Sequence, residues 1–128
     1  MKYRLLDLLA CPICKHFPLK LFLFSEKTLE EAKTPPNVCE LYCGLEEKML
    51  SEMAGKPNCE KCYGREIVDA LLLCTQCNRW YPVIEEIPHM LPDSLREREE
   101  DLSFLRRWKE KIPEDILLNG KPFNLKET

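Results

Sequence analysis

Runs of apolar residues predict three β-strands along the chain. In the run over 18–24, Leu19, Leu21 and Leu23 would share one face. Phe22 and Phe24 would lie on the other, so both faces are expected to be covered. A second run covers 67–73, and a third covers 80–84, where Pro82 limits the pairing. We expect the last two runs to form an antiparallel hairpin.

A spacing of three and four residues between apolar positions predicts helices in three places. Near the start, Leu5, Leu8 and Leu9, joined by Leu6, indicate two helical turns that Pro12 ends. A short amphipathic helix is predicted before Gly55 and Pro57. The positions on its apolar face are Leu45, Met49, Leu50 and Met53.

The longest helix is predicted after Asp93. Ser94 and Glu97 have the spacing of a capping box, and Pro113 ends the pattern. Its buried face would hold Leu95, Leu102, Leu105, Trp108 and Ile112. Six acidic and six basic residues lie between Asp93 and Lys111, and we interpret that face as solvated surface. Residues 113–128 are expected to end as a loose tail.

Two matched cysteine pairs provide the clearest chemical signal. Cys11 and Cys14 have the same two-residue gap as Cys74 and Cys77, which lets two thiolates on one tight turn reach a single tetrahedral zinc. The 59 intervening residues exceed the roughly 15–20 of an uninterrupted zinc ribbon. The pattern therefore predicts a ribbon with an insertion and a structural zinc, against the alternatives of disulfides or a CxxC redox couple.

A second group of four cysteines lies within the insertion, and its interpretation is less constrained. The group consists of Cys39, Cys43, Cys59 and Cys62. The spacing allows a second zinc that holds the insert together, while buried thiols or disulfides are the alternatives. The two histidines, His16 and His89, lack metal-ligand spacing with an acidic partner, so we expect neither to bind metal or to catalyse.

Charge and composition narrow the classes of function. The 128 residues carry a net charge of −3, which disfavours nucleic acid as the sole partner, and we expect no direct nucleic-acid contact. Because no apolar run reaches the length of a membrane span and no export signal is visible, we expect a cytoplasmic protein without membrane contact. Four scattered glycines cannot form a phosphate-binding loop, and neither GxSxG nor HExxH occurs.

An apolar group near the predicted zinc is rich in the residue types that anchor protein interfaces. Its members are Trp80, Tyr81, Val83, Ile84, Ile87, Met90 and Leu91. Some of them must fill the small core of the ribbon, but a metal-held domain of this size cannot bury all of them. The group thus predicts a docking surface for a protein partner.

These elements predict a small α+β protein. Residues 1–24 and 64–92 would form the zinc ribbon, an interrupted set of antiparallel strands closed by one four-cysteine site. Residues 25–63, which include the Pro35-Pro36 break, would form a mostly helical, cysteine-containing insert. Residues 93–128 would add the C-terminal helix and tail.

The two ends of the predicted ribbon resemble a known family. The shared residues are Met1-Lys2, Leu5 to Pro12, Leu73-Cys74, Cys77, Arg79, Tyr81 to Val83, Ile87-Pro88 and Met90-Leu91. They are similar to the small zinc-ribbon activator subunit of eukaryotic and archaeal methyltransferases. Glu86 stands where that family often has glycine, and both the four insert cysteines and the segment 93–128 depart from its usual pattern.

The resemblance implies a non-catalytic subunit that binds no S-adenosylmethionine itself. It implies a heterodimer with S-adenosylmethionine-dependent methyltransferases that act on tRNA, rRNA or the glutamine of translation release factors. Cys11, Cys14, Cys74 and Cys77 would be the zinc ligands, while Leu5, Leu8 and Leu9 and the segment from Trp80 to Leu91 would face the enzyme. The residues themselves leave two alternatives open, a stand-alone ribbon that binds RNA and a thiol redox protein.

Overall fold

The computed structural model describes residues 1–28, 39–53 and 64–126. Its main feature is a four-stranded antiparallel sheet of β1 (Lys20–Thr28), β4 (Arg65–Leu73), β5 (Trp80–Ile84) and β6 (Ile87–Pro88), in the order β1-β4-β5-β6. A separate two-stranded hairpin consists of β2 (Tyr42–Cys43) and β3 (Lys48–Met49). The small α+β class and the hairpin of β4 and β5 are thus as the sequence predicts.

Each face of the sheet contributes to its own hydrophobic core, because the side chains of β5 alternate between the two faces. Tyr81 and Val83 lie in the first core, with Leu6, Leu19 and Leu72. Trp80, on the opposite face, lies in a second core built with Phe24, Leu71, Leu102 and Leu105. The expectation that β1 is covered on both faces is confirmed, although Leu23 remains 40% exposed.

Helices are few and short. A 3₁₀ helix at Tyr3–Asp7 takes the place of the two turns predicted near the start. Helix α1 (Arg98–Arg107) is the longest, and α2 (Glu114–Asn119) follows it. Further 3₁₀ turns lie at Leu50–Glu52, Asp93–Leu95 and Lys109–Lys111. Among the described residues, no helix is both long and apolar enough to cross a bilayer.

The amphipathic helix predicted over Leu45 to Met53 is wrong, because the hairpin of β2 and β3 occupies this stretch. Leu45 and Met49 do pack against the first core, but from a hairpin. Gly44 fits the close approach to the Tyr3 carbonyl, where a Cβ would clash. Glu47 adopts a positive φ of 55°, which turns the chain out of a helical path. Residues 29–38 and 54–63 of the insert lie outside the described residues.

The capping box at Ser94 and Glu97 is also wrong. Helix α1 begins at Arg98 with Glu97 as its N-cap residue, and no side chain caps it. Leu95 precedes the helix and is 62% exposed instead of buried. The core positions Leu102 and Leu105 are confirmed.

The segment after Pro113 is not the loose tail that is expected from the sequence. Ile116 and Leu117 of α2 are buried in the second core. Beyond α2, the Trp80 N–H donates to the Lys121 carbonyl at 3.1 Å, and the Trp80 indole N–H donates to the Phe123 carbonyl at 2.9 Å. The segment is therefore docked on the start of β5.

Candidate metal centre

Two loops of the same shape bring together the four cysteines of the predicted zinc site, which are Cys11, Cys14, Cys74 and Cys77. In the first, the Cys11 N–H donates to the His16 carbonyl at 3.0 Å and the Cys11 carbonyl accepts from Lys15 at 2.9 Å. In the second, Cys74 makes the equivalent bonds with Arg79 at 2.8 Å and Asn78 at 2.9 Å. Lys15 and Asn78 both adopt left-handed backbone conformations, with φ of 67° and 65°. Each loop thereby turns its two thiols toward the other.

The four thiols fit a tetrahedral metal ion. The Sγ atoms of Cys11, Cys14, Cys74 and Cys77 all lie within 4.8 Å of one another. Cys11 and Cys77 are 3.7 Å apart, and Cys14 and Cys74 are 3.4 Å apart. Zinc–sulfur bonds of about 2.3 Å place the sulfurs of a tetrahedron about 3.8 Å apart. In the described part of the chain, this is the one group of metal-ligating side chains that converges in this way.

The chemistry of the donor set also favours a cation. Burial raises the pKa of the Cys11 thiol, but hydrogen bonds from the Cys14 and Ile13 backbones and from Tyr81 outweigh it and lower the pKa to about 6. Burial and the neighbouring thiols Cys14 and Cys77 raise the pKa of Cys74 to about 12. Four thiolates so close together would repel one another, and the charge of a divalent cation offsets this repulsion, so that all four thiols can ionise.

Polar groups around the thiols are held in fixed positions. The Tyr81 hydroxyl lies 3.1 Å from Cys11 Sγ, and burial together with this hydrogen bond raises the pKa of the phenol, which keeps it protonated. Arg79 hydrogen-bonds Cys77 and donates two hydrogen bonds to Asp93, at 2.9 and 2.8 Å. The Arg79 side chain lowers the pKa of the Asp93 carboxyl. The segment after β6 thereby helps to orient the second loop.

Among the described residues, no other cysteine or histidine joins this group. Cys39 and Cys43 lie in or beside the hairpin of β2 and β3, while Cys59 and Cys62 lie outside the described residues, so the second zinc site stays a prediction. The His16 ring nitrogen lies 3.2 Å from the Thr75 hydroxyl and thus links the two loops.

The predicted docking residues divide into buried and exposed sets. Trp80, Tyr81 and Val83 are at most 1% exposed, so the expectation that they face a partner is corrected: each fills one of the chain's own cores. Leu8, Ile87 and Leu91 are 63%, 61% and 39% exposed. The four remaining predicted positions are partly buried. Leu5, Leu9 and Met90 pack against the first core, and Ile84 packs against the second.

Sequence reasoning missed the role of Asp7 in holding the insert. Its carboxylate accepts hydrogen bonds from the backbone N–H groups of Glu40, Leu41 and Tyr42 at 3.0, 2.9 and 2.7 Å. These partners lie more than 30 positions away along the chain, so no local pattern indicates the contact. It ties the hairpin of β2 and β3 to the end of the first 3₁₀ helix.

Comparison with known proteins gives one positive result. No curated protein and no solved structure matches the chain significantly. One family profile, described as Trm112p-like protein, matches residues 2–86, which include all four converging cysteines. Since the match covers well over half of the sequence, the chain belongs to the Trm112p-like family of zinc-ribbon methyltransferase activators.

Proposed function

We propose that this protein is a non-catalytic, zinc-binding subunit that stabilises and activates S-adenosylmethionine-dependent methyltransferases. Family membership supports the activator role. The proposal extends to partners that methylate tRNA, rRNA or a translation release factor, and to the cytoplasm, where thiols remain reduced and free to bind metal.

The single observation that carries the proposal is a set of exposed apolar side chains in the segments that flank the metal-binding cysteines in sequence. Leu8 comes directly after the first 3₁₀ helix, Ile87 lies in β6, and Leu91 lies three residues after the end of β6. All three are large, apolar and exposed. Leu9 and Met90, next to them in sequence, pack against the same first core. An enzyme that covered these side chains would remove apolar area from water on both molecules.

Strand β6 adds a means of orienting the partner. It is a two-residue strand at one edge of the sheet and pairs with β5 alone among the described strands. Such an edge accepts an added strand, whose main-chain hydrogen bonds set the geometry while the apolar side chains supply most of the affinity. We propose that the methyltransferase supplies this strand.

The metal site favours a structural role for zinc. Four thiolates fill the coordination positions of a tetrahedral zinc ion and leave none for water or substrate. We therefore propose that zinc holds the two loops together and that the partner performs the chemistry. The partner also binds the methyl donor.

Co-expression with candidate methyltransferases tests the proposal. The zinc-loaded chain alone should transfer no methyl group from labelled S-adenosylmethionine, whereas the complex should be soluble and active. Cys74→Ser serves as the negative control, because losing one metal ligand should unfold the ribbon and abolish activation. If every candidate enzyme were equally soluble and active without the chain, the activator role would be wrong. Methyl transfer by the isolated chain would overturn the non-catalytic role.

A further inference from the structure

The last turn of α1 and the 3₁₀ turn after it form a basic surface on an otherwise acidic protein. Residues 106–111 contain four basic residues and one acidic residue, a net charge of +3. Because the whole chain carries −3, the remaining residues carry −6. Arg106, Arg107, Lys109 and Lys111 are all exposed. We call this set, together with Trp108, the basic turn; it lies beyond the family match, which ends at residue 86.

Ion pairs between described residues do not neutralise these charges. Among the ion pairs formed by described residues, none involves a side chain of the basic turn. Glu110 lies within it, and Glu114 borders a neighbouring groove with Arg106 and Lys109. Four cations in six residues repel one another, and an external polyanion would relieve that repulsion.

An aromatic ring stands among the cations. The Arg107 guanidinium lies 5.0 Å from the centre of the Trp108 ring, and the Lys111 ammonium lies 5.8 Å from it. Trp108 stacks on Phe24 at 4.9 Å, and Lys111 donates to the Phe24 carbonyl at 2.9 Å, so the sheet supports both side chains. Residues 106–111 alone line a groove of about 440 Å³. Guanidinium groups beside an aromatic ring suit phosphates and bases.

The structure favours RNA over a lipid surface as the source of phosphate. A helix that lies in a membrane interface inserts its apolar face. The apolar side chains of α1, which are Leu102, Phe104 and Leu105, are buried in the second core and are unavailable for insertion. The strong negative charge of the rest of the chain restricts contact with a polyanion to this one area.

We propose that the basic turn binds the phosphate backbone of RNA and adds an RNA-binding surface to the methyltransferase complex. The second part rests on the proposed function and assigns RNA, not release factor, as the class of substrate that this surface serves. It departs from the expectation, drawn from net charge, that the chain makes no direct nucleic-acid contact.

Binding of an unmodified tRNA transcript to the isolated, zinc-loaded chain tests the first part without a methyltransferase. Anisotropy is measured between 50 and 200 mM salt for the wild type and for the variant in which Arg106, Arg107, Lys109 and Lys111 become Gln. A control variant changes Lys20, Lys48, Arg98 and Lys126 to Gln, which removes the same charge elsewhere. A triple variant that keeps Lys111 guards against a folding defect, since Lys111 contacts the Phe24 carbonyl.

We expect the basic-turn variants to lose at least about 10-fold in tRNA affinity. The affinity of the control variant should stay within about two-fold of the wild-type affinity at the same salt concentration. The slope of log affinity against log salt should fall by about three for the quadruple variant, since each phosphate contact contributes roughly 0.7–0.9. Wild-type affinity in the variants, or no salt-dependent tRNA binding by the wild type, would overturn the proposal. Binding to phosphatidylserine vesicles or polyglutamate that requires the basic turn, without tRNA binding, would also overturn it.

The tRNA affinity of the methyltransferase complex tests the second part of the proposal. Its tRNA affinity should fall in the basic-turn variant while the subunits still co-purify. If no enzyme co-purifies with the wild type but the isolated chain still binds tRNA through the basic turn, the activator role fails and the RNA contact stands. If the complex forms and its tRNA affinity is unchanged by the variant, the contribution of the basic turn to the complex fails and the activator role stands.

Discussion

Replacing Asp7 should detach the inserted hairpin from the zinc ribbon. Asp7 is buried, and its Oδ1 accepts from Leu41 and Tyr42 while its Oδ2 accepts from Glu40. Leu41 and Glu40 are exposed, so water can replace the carboxylate at their N–H groups, but the Tyr42 N–H is buried. Asp7→Ala leaves that buried donor without an acceptor.

The size of the effect follows from this difference in exposure. An unsatisfied buried donor costs about 1–3 kcal/mol, and each rehydrated bond costs about 0.5–1 kcal/mol, which together give roughly 3 kcal/mol for Asp7→Ala. Asp7→Asn keeps an oxygen for Leu41 and Tyr42 and places an amide against Glu40, so it should cost only about 1 kcal/mol. Glu46→Ala removes an equal charge from the same hairpin and should change stability by less than about 0.5 kcal/mol.

The assay combines denaturant unfolding of the zinc-loaded protein with hydrogen exchange at neutral pH. Asp7→Ala should lower the protection of the Tyr42 amide by about 100-fold, which corresponds to roughly 3 kcal/mol, while Asp7→Asn should leave it largely intact. An alanine variant within about 0.5 kcal/mol of the wild type, with Tyr42 still protected, would refute the reasoning.

The same contact predicts a dependence on pH. Burial raises the pKa of the Asp7 carboxyl, but the three backbone hydrogen bonds outweigh it and hold the folded-state pKa below the ordinary value of 3.8. The stabilisation is therefore present above about pH 4 and is lost as pH falls through the lowered pKa. The difference in stability between wild type and Asp7→Asn should narrow over that acid range.

Three further changes test other parts of the fold. Removing metal with a strong chelator should unfold the ribbon, since structural zinc supplies roughly 10–16 kcal/mol at neutral pH; unchanged circular dichroism would contradict this. Glu86→Gly should stabilise the protein by about 0.5 kcal/mol, because Glu86 has a φ of 73° and its exposed ion pair with Lys27 adds little. A lower midpoint of thermal unfolding would contradict this. Gly120→Ala should destabilise by about 1–3 kcal/mol, since the new Cβ would lie 2.6 Å from the Ile116 carbonyl oxygen and 2.8 Å from the Trp80 ring; unaltered tryptophan fluorescence and stability would argue against tight docking.

Local patterns account for the parts of the structure that the sequence predicts. The CxxC spacing fixes the two loops, and alternation of side chains fixes β4 and β5, because both signals depend on residues a few positions apart. The prediction of a helix in the insert is wrong because the spacing of Leu45 and Met49 suits either a helix or a hairpin. The choice depends on contacts of Gly44 and Asp7 with distant parts of the chain.

The docked C-terminal segment was missed for a related reason. Ile116 and Leu117 form too short an apolar cluster to predict burial, and their partner, Trp80, lies more than 30 positions earlier. The residue type of Trp80 and its position near the metal-binding cysteines in sequence predict a place at a partner interface. The segment from 98 to 125 covers it, and no property of residue 80 alone reveals this cover.

The central claim is that the methyltransferase binds the exposed apolar residues Leu8, Ile87 and Leu91. Ile87→Asp places a charge at one of these positions, and Leu118→Asp is the matched control, because Leu118 is also exposed but lies on α2. The measurement is the dissociation constant of each zinc-loaded variant for the methyltransferase. The account predicts a loss of at least about 30-fold for Ile87→Asp, or about 2 kcal/mol, and unchanged affinity for Leu118→Asp. Wild-type affinity for a folded, metal-bound Ile87→Asp would contradict it.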